Sequence, residues 1–579
     1  MSTQIRKIIA RKLFEAVDNG KLNPVEFSNK IIPNLQFRTT AEGKSLYQIN
    51  PKNLQKSLND NSLAINELVS KVLSTKCNDS PAIASISSHE KNLIFHLNQP
   101  VFVGGILTAS TENPSDYKLI DEPTENIIVE YSSPNIAKPF HIGHLRSTII
   151  GNFIANVFSA YGHNVTRINY LGDWGTQFGY LKLGMDMSGL SDEEVAKDPI
   201  KHLFHAYVQA NRVAETDSEF AAKAREVFSQ MENGELPDLE AWRQYREYTV
   251  KEMERVYGRL GVKFDVYAWE SDYRKVNILN QLELLRKSDF LQVEADGKET
   301  FVLDENVRKP LLKSDGSTLY LTRDVAAVFD RQERYKFDRI YYVAGNEQHQ
   351  HFDGLFSIAK KIGVRNANRL HHVKFGKVEK MSTRKGNVVF LSDILDEIRD
   401  LMHSKQISSP NTKIDLESDE KRTADIEGVS AIISYELQRM PTASYEFHMD
   451  DIMKDANASA KNFQMTHSRL CSLESVTSVQ AASEYDPKYL LEPEAVQLVL
   501  DIARLPDVIY ESKRILGAQR LLNYMFSLNT RTKKALKALP IKGDDNPNRQ
   551  AQRMLLFKSA KNALRACMKL ISVTPLEKI

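Results

Sequence analysis

The apolar positions along this chain change their period several times, and each change marks a boundary. Ile5, Ile9 and Leu13 recur at helical spacing, and short strand-like runs such as residues 92–97 follow. Residues 1–120 therefore read as a small α+β domain, closed by the polar break Asp121-Glu122-Pro123. Beyond it the pattern becomes β-α-β. Residues 127–131 form an apolar, strand-like run. Leu145, Ile149, Phe153 and Val157 then repeat at helical spacing, with Ile150, Ile154 and Phe158 widening the stripe and Gly162 closing the helix. A second strand is predicted over 165–171, ending in Gly172-Asp173-Trp174-Gly175. Residues 181–300 are charged and read as helical. The α/β alternation resumes near Phe301, with a strand over 339–344, a loop over 345–351 and a helix over 352–362 stopped by Gly363. From about residue 425 the pattern is helical to the end. The simplest account is a multidomain α/β chain. An α+β domain (1–120) precedes an α/β domain in two halves (121–180 and 301–424) split by a helical insertion (181–300), and an all-α domain (425–579) follows.

Between the first strand and its helix lies Pro139-Phe140-His141-Ile142-Gly143-His144. A loop entering a helix N-terminus points backbone N–H groups outward, where the helix dipole favours anions. Two imidazoles there can donate to phosphate oxygens, and Gly143 leaves room for a flat ring such as adenine to lie against the backbone. On the tetrapeptide alone, a phosphate site stands level with a metal pair or two unrelated surface histidines. The spacing is not that of the His-Glu-x-x-His zinc proteases, and no Cys or Glu lies beside it in ligand spacing.

Composition narrows the class. No apolar run reaches the 18 or so residues of a membrane-spanning helix, so no membrane partner is expected. The net charge is only +2, but residues 501–579 hold 16 Lys and Arg against 6 Asp and Glu, an imbalance that suits a polyanionic partner or a solvated basic face. Cys77, Cys471 and Cys567 match no zinc or redox spacing and suit a reducing compartment. The first residues are basic, amphipathic and free of acids until Glu15. They fit a transit peptide and the first helix of the N-terminal domain equally well, and the two readings are compatible.

A second signature, Lys380-Met381-Ser382-Thr383-Arg384-Lys385-Gly386, follows a predicted strand over 372–377. A basic, glycine-ended loop there can bring cations onto a triphosphate. Together, and in this order on a split α/β domain, the two signatures resemble those of the class I aminoacyl-tRNA synthetases. In length, in the absence of a long N-terminal extension and in its Val573-Thr574-Pro575 tail the chain is most similar to the animal mitochondrial branch of the arginyl-tRNA synthetase family, to which the resemblance sharpens through several further stretches. These are Glu130-Tyr131-Ser132-Ser133-Pro134-Asn135, Leu145-Arg146-Ser147-Thr148, Asn169-Tyr170-Leu171-Gly172-Asp173-Trp174-Gly175, Ser314-Asp315-Gly316 with Tyr320-Leu321-Thr322-Arg323-Asp324, and Gln464-Met465-Thr466-His467-Ser468-Arg469. Thr383 stands where the class pattern has lysine, so Arg384 or Lys385 is expected to supply that charge. Met465 stands where the family commonly has tyrosine, and Ile579 ends a tail that usually ends in methionine.

The resemblance implies a Rossmann-type catalytic domain, an N-terminal domain touching the tRNA elbow, and a C-terminal anticodon-binding bundle. It implies joining of L-arginine to tRNA(Arg) through an arginyl-adenylate, with ATP as its Mg²⁺ complex and no tightly bound protein metal. His141, His144, Lys380, Arg384 and Lys385 are the expected catalytic groups, and His141, Gly143, His144, Lys380, Met381 and Ser382 the ATP contacts. A guanidinium is planar and permanently charged, so it calls for carboxylates and neutral acceptors. Tyr320 and Asp324, four apart where a helix is predicted to start, can face one pocket, although an acid at a helix start beside a core aromatic is the plainer reading of the pair by themselves. Glu130, ending the first strand, is expected as a second carboxylate, with Ser133, Pro134, Asn135, His144 and Gln348 around the rest of the amino acid. Phe463, Gln464, His467 and Arg469 are expected at the tRNA. A monomer in the mitochondrial matrix, with the cytoplasm as the alternative, completes the expectation.

Overall fold

A computed structural model describes residues 2–17, 22–40, 44–57, 65–74, 81–90, 92–112, 117–136, 140–235, 240–382, 390–409, 421–453 and 460–579. Its centre is a five-stranded, all-parallel sheet. In spatial order the strands are Leu370–Phe375, Arg339–Gly345, Asn126–Glu130, Asn164–Leu171 and Val266–Trp269. The middle of the central strand is a continuous apolar run because both faces are covered: Ile127, Ile128 and Val129 are all buried. Chain order reverses at this strand, whose two neighbours are Arg339–Gly345 and Asn164–Leu171. In sheets of this kind that switch point opens a crevice beyond the carboxyl ends of the strands.

The helix Ile142–Ala160 leaves the crevice and packs back across the sheet. It buries residues all around its circumference because helices of the C-terminal domain cover its outer side. A Cβ on Gly151 would sit 2.2 Å from Cβ of Tyr131, so glycine is what lets the helix lie on the end of the central strand.

The α/β pattern resumes earlier than residue 301. Val266–Trp269, inside the stretch read as a helical insertion, is the edge strand of the main sheet, paired with Asn164–Leu171. It is four residues long and half-buried throughout, and an apolar run as short as Val266-Tyr267-Ala268-Trp269 cannot be told from part of a helix by its pattern. The helices between Thr176 and Arg259 form the insertion proper. Phe301 belongs instead to a separate three-stranded antiparallel sheet made of Leu291–Val293, Glu299–Val302 and Arg308–Leu312. Among the described residues the helical C-terminal region is interrupted by one strand: Tyr445–His448 pairs in parallel with Val378–Ser382, the strand that enters the second signature.

The N-terminal domain is a four-stranded antiparallel sheet with helices. Its first helix, Ser2–Val17, buries Ile5, Ile9 and Leu13 completely. Arg6 on that helix is 1% exposed, donates to the Ile32 and Leu35 carbonyls, and pairs at 2.7 Å with Asp507 of the C-terminal domain. Whatever else this segment does, it is part of the domain core. Among the described residues no helix is long and apolar enough to cross a membrane.

Candidate active site

A cavity of about 740 Å³ fills the crevice, reaching from the His141 loop at one end to Glu270, Tyr320 and Asp324 at the other.

At the first end, His141 is the N-cap of Ile142–Ala160, in extended backbone conformation. Its Nδ1 accepts from Gly143 N–H at 3.0 Å, and Nδ1 of His144 accepts from His141 N–H at 3.2 Å. The two imidazoles thus replace the Ser and Glu of an ordinary capping box. Because each Nδ1 is an acceptor, each neutral ring carries its proton on Nε2, and both rings stay donors. The rings lie 4.2 Å apart, side by side at a helix N-terminus. A Cβ on Gly143 would fall 2.8 Å from the His141 ring, so glycine here makes room for that imidazole. Two donors with a helix dipole behind them form an anion site.

At the other end, helix Tyr320–Tyr335 presents Tyr320 and Asp324, as their spacing predicts. Asp324 Oδ2 lies 2.6 Å from Nε2 of His351. Burial depresses that imidazole, but the bond to Asp324 and its charge outweigh burial, so the net shift is upward and the pair favours the charged ring. Glu130 does not serve as a free second carboxylate. It is 2.5 Å from the guanidinium of Arg331, which is buried between the rings of Tyr170 and Tyr342. Burial raises the Glu130 pKa and Arg331 opposes it, with the net shift upward.

The second acid is Glu270, which follows the edge strand the sequence did not reveal. Its Oε2 is buried without a hydrogen-bond donor, and the nearest cation, Arg323, stands 3.7 Å off. Burial first, then the charges of Asp324, Asp173 and Glu130, outweigh Arg323 and push its pKa up to about 8. A buried carboxylate oxygen that lacks a hydrogen-bond donor, on a residue lining the cavity, suits a donor-rich cation. The sequence signal for Glu270 was weak: one acid among several in Trp269-Glu270-Ser271-Asp272.

Between the ends, Ser132 and Ser133 both have positive φ (70° and 45°), turning the chain sharply off the central strand. The Ser133 N–H donates to Asn169, and Asn135 bridges to Gly172, so both line the cavity, as does the exposed Gln348. Pro134 is buried outside the lining and gives its carbonyl to Gly172 N–H. Lys380, Met381 and Ser382 lie on Val378–Ser382, whose first residue reaches the cavity rim; only their backbone is described. Arg384 and Lys385 lie outside the described residues.

The helix Ala460–Val476 corrects three expectations. Phe463, Gln464 and His467 are fully buried. Gln464 donates to Thr574 O and accepts from Leu576 N–H, and His467 Nδ1 bonds Leu576 O. Gln464 and His467 thus hold residues 574–576 and Phe463 packs against Phe526, so none of the three is available to an anticodon. Along the same stretch of this helix Met465 and Arg469 are exposed, as are Ser475 and Val476 at its end.

Comparison with known proteins agrees with this architecture. The family profile described as the catalytic domain of class I (R) tRNA synthetases matches residues 110–449, and the DALR anticodon binding domain matches 463–579. A Bos taurus protein named "Probable arginine--tRNA ligase, mitochondrial" is 35% identical over 584 residues, covering 99% of both chains. The cytoplasmic arginine–tRNA ligase of Saccharomyces cerevisiae is 34% identical over 579 residues, covering 97% of this chain and 93% of its own. The fold is that of the Thermus thermophilus arginyl-tRNA synthetase structure, with a TM-score of 0.79 at 18% identity over 99% of this chain and all of that one. With a class I catalytic domain, a DALR domain and relatives matched end to end, the chain belongs to the arginyl-tRNA synthetase family.

Proposed function

We propose that this cavity carries out both steps of arginine–tRNA ligation. The arginine carboxylate attacks the α-phosphorus of ATP, which enters with Mg²⁺, and pyrophosphate leaves. The acyl group then passes to the terminal ribose of tRNA(Arg), at the 2′-OH expected of this class. Little covalent work falls to the protein, which positions the reactants and meets charge growing on phosphate oxygens. His141 and His144 donate from Nε2 on one side. Lys380, Arg384 and Lys385 are assigned to the other, with Met381 and Ser382 beside the nucleotide.

The guanidinium is assigned to Glu270 and Asp324, with Tyr320 as the wall. Ser133, Asn135 and Gln348 are assigned to the α-amino and carboxylate groups. One observation supports this reading above the others: paired imidazole donors and a buried carboxylate with one oxygen lacking a hydrogen-bond donor share one cavity at the switch point of the sheet. Lysine enters such a pocket but leaves acceptors unpaired, which gives rejection strong enough to dispense with an editing site.

The basic side chains of 501–579 are assigned to tRNA phosphates, and Met465 with Arg469 to the anticodon loop. The N-terminal domain is assigned to the tRNA elbow. We take the protein as a monomer working in the mitochondrial matrix, a compartment supported by its mitochondrial relatives, although a cytoplasmic yeast relative is also similar. Charging of a tRNA transcript pool with each labelled amino acid tests the activity. Arginine alone is expected to be attached, and incorporation of any other amino acid instead overturns the assignment.

A further inference from the structure

The acid end of the cavity is assembled from separate stretches of chain, and one buried carboxylate outside the cavity ties them together. Glu232, on the last turn of the insertion helix Ser218–Asn233, is 1% exposed. One of its oxygens accepts from Nε1 of Trp174. The other accepts from Thr318 twice, from the backbone N–H at 3.2 Å and from the hydroxyl. Thr318 lies two residues before Tyr320, at the entry to the helix that carries Tyr320 and Asp324. Its carbonyl and hydroxyl oxygens accept from Nη1 of Arg323 at 3.2 and 3.0 Å. Arg323 in turn lies over the Tyr320 ring at 4.9 Å and sets Nη2 3.7 Å from Oε2 of Glu270.

The polarity of this chain of contacts runs one way. A threonine hydroxyl has a single proton. Donating it to Glu232 commits its lone pairs to Arg323, so the carboxylate fixes which way the hydroxyl faces and thereby where the guanidinium rests. Burying Glu232 carries a desolvation cost that apolar packing at the same helix entry would avoid. The return is orientation. Arg323 is held along one flank of Glu270, near enough to favour ionisation of the acid and too far to donate a hydrogen bond to Oε2.

We propose that Glu232 is a positioning residue for arginine recognition, acting through Thr318 and Arg323 to hold Glu270 and Tyr320 in register for an incoming guanidinium. This rests on the arginine reading above. The helical insertion, which contributes Glu232, thereby becomes part of the specificity apparatus.

The test is steady-state aminoacylation by the full chain with saturating tRNA. Thr318→Val removes the relay proton and lone pairs at nearly constant volume. It is expected to raise KM for arginine about tenfold or more while leaving KM for ATP unchanged. Thr318→Ser keeps the hydroxyl and is expected to restore KM for arginine. Glu232→Gln keeps an acceptor for Thr318 but turns a donor toward Trp174, and is expected to shift KM for arginine in the same direction. Should Thr318→Val fail to fold, Arg323→Lys carries the test, because it keeps a cation beside Glu270 without the grip on Thr318; it too is expected to raise KM for arginine alone. Equal arginine KM in wild type and Thr318→Val, or arginine and ATP constants rising together without rescue by Thr318→Ser, overturns the relay. A wild-type protein that charges no arginine overturns the reading beneath it.

Discussion

Among single residues, Glu270 gives the clearest handle on the chemistry. Burial pushes its pKa up to about 8, with Asp324, Asp173 and Glu130 adding to the rise and Arg323 opposing it. A guanidinium favours the ionised acid. Below about pH 8, arginine must therefore displace a proton from Glu270 as it binds, and above that pH the cost is gone. KM for arginine is expected to fall as pH rises from 6 to 8, with a limiting slope of about tenfold per pH unit, and then to level off. Glu270→Gln is expected to flatten that dependence at a higher KM. Part of any remaining slope belongs to His351, whose pKa Asp324 holds up against burial. A KM for arginine that does not change with pH in the wild type would remove Glu270 from the guanidinium site. Residue by residue, the sequence was legible where a rare type recurred in a telling place. His141 and His144 stand at a helix entry, and Tyr320 and Asp324 one turn apart, and the structure sets all four on the cavity. It was not legible for Glu130, whose charge is met by Arg331 from a distant helix, nor for Glu270, which is one ordinary acid until burial isolates it. Charge partners across a fold leave no trace in local spacing.

At the level of elements, the apolar period located what was long and thickly covered. The helix Ile142–Ala160 and the central strand were readable because each buries a continuous apolar surface. Val266–Trp269 and Tyr445–His448 were not, because four residues are too few for a period to stand out: the first is a short apolar run and the second only two cycles of alternation, each amid residues that read as helical. The same helix shows why its sequence tolerates so little at one point. Gly151 faces Tyr131, and a methyl group there would lie 2.2 Å from Cβ and 2.3 Å from Cγ of that side chain. A Cβ cannot swing aside, so Gly151→Ala must lift the helix from the strand end and carry His141 and His144 with it. Overpacking of this kind costs about 1–3 kcal/mol. The variant is expected to unfold at lower temperature and to lose affinity for ATP, measured by thermal denaturation with and without nucleotide. A Gly151→Ala protein as stable as wild type would mean that the close helix–strand contact does not exist.

Across the whole molecule, the question is how events at the C-terminal domain reach the triphosphate end of the cavity, and Arg146 offers a physical route. It sits two residues beyond His144, is 1% exposed, and donates from Nη1 to Gly376 O and Ala443 O, both at 2.7 Å, and from Nη2 to Met440 O at 3.1 Å. Its Nε lies 3.7 Å from Glu436, at the end of helix Arg422–Leu437. Burial raises the Glu436 pKa to about 7 against the pull of Arg146 and Arg439. Gly376 precedes the strand Val378–Ser382, and that strand pairs with Tyr445–His448. One guanidinium therefore joins the histidine helix, the root of the second signature and the first segments of the C-terminal region. Further out, Gln464 Nε2 donates to Ser430 Oγ, tying Arg422–Leu437 to the helix that carries Met465 and Arg469. The family resemblance leads us to expect weak ATP–pyrophosphate exchange without tRNA, and this connected set of contacts is where the dependence would be carried. Contiguity alone does not prove coupling; a change in the tRNA effect does. Lysine at position 146 keeps the charge but has no planar fork to span three carbonyls. Arg146→Lys is expected to bind tRNA with unchanged Kd, yet to lose stimulation of exchange by tRNA by a factor of about three to thirty. If brisk exchange occurs with arginine and ATP alone, no coupling is needed and the dependence itself is wrong. If the wild type needs tRNA and Arg146→Lys is stimulated to the same degree, the signal reaches the triphosphate end by another path, and Arg146 serves only to hold the two signatures against the sheet.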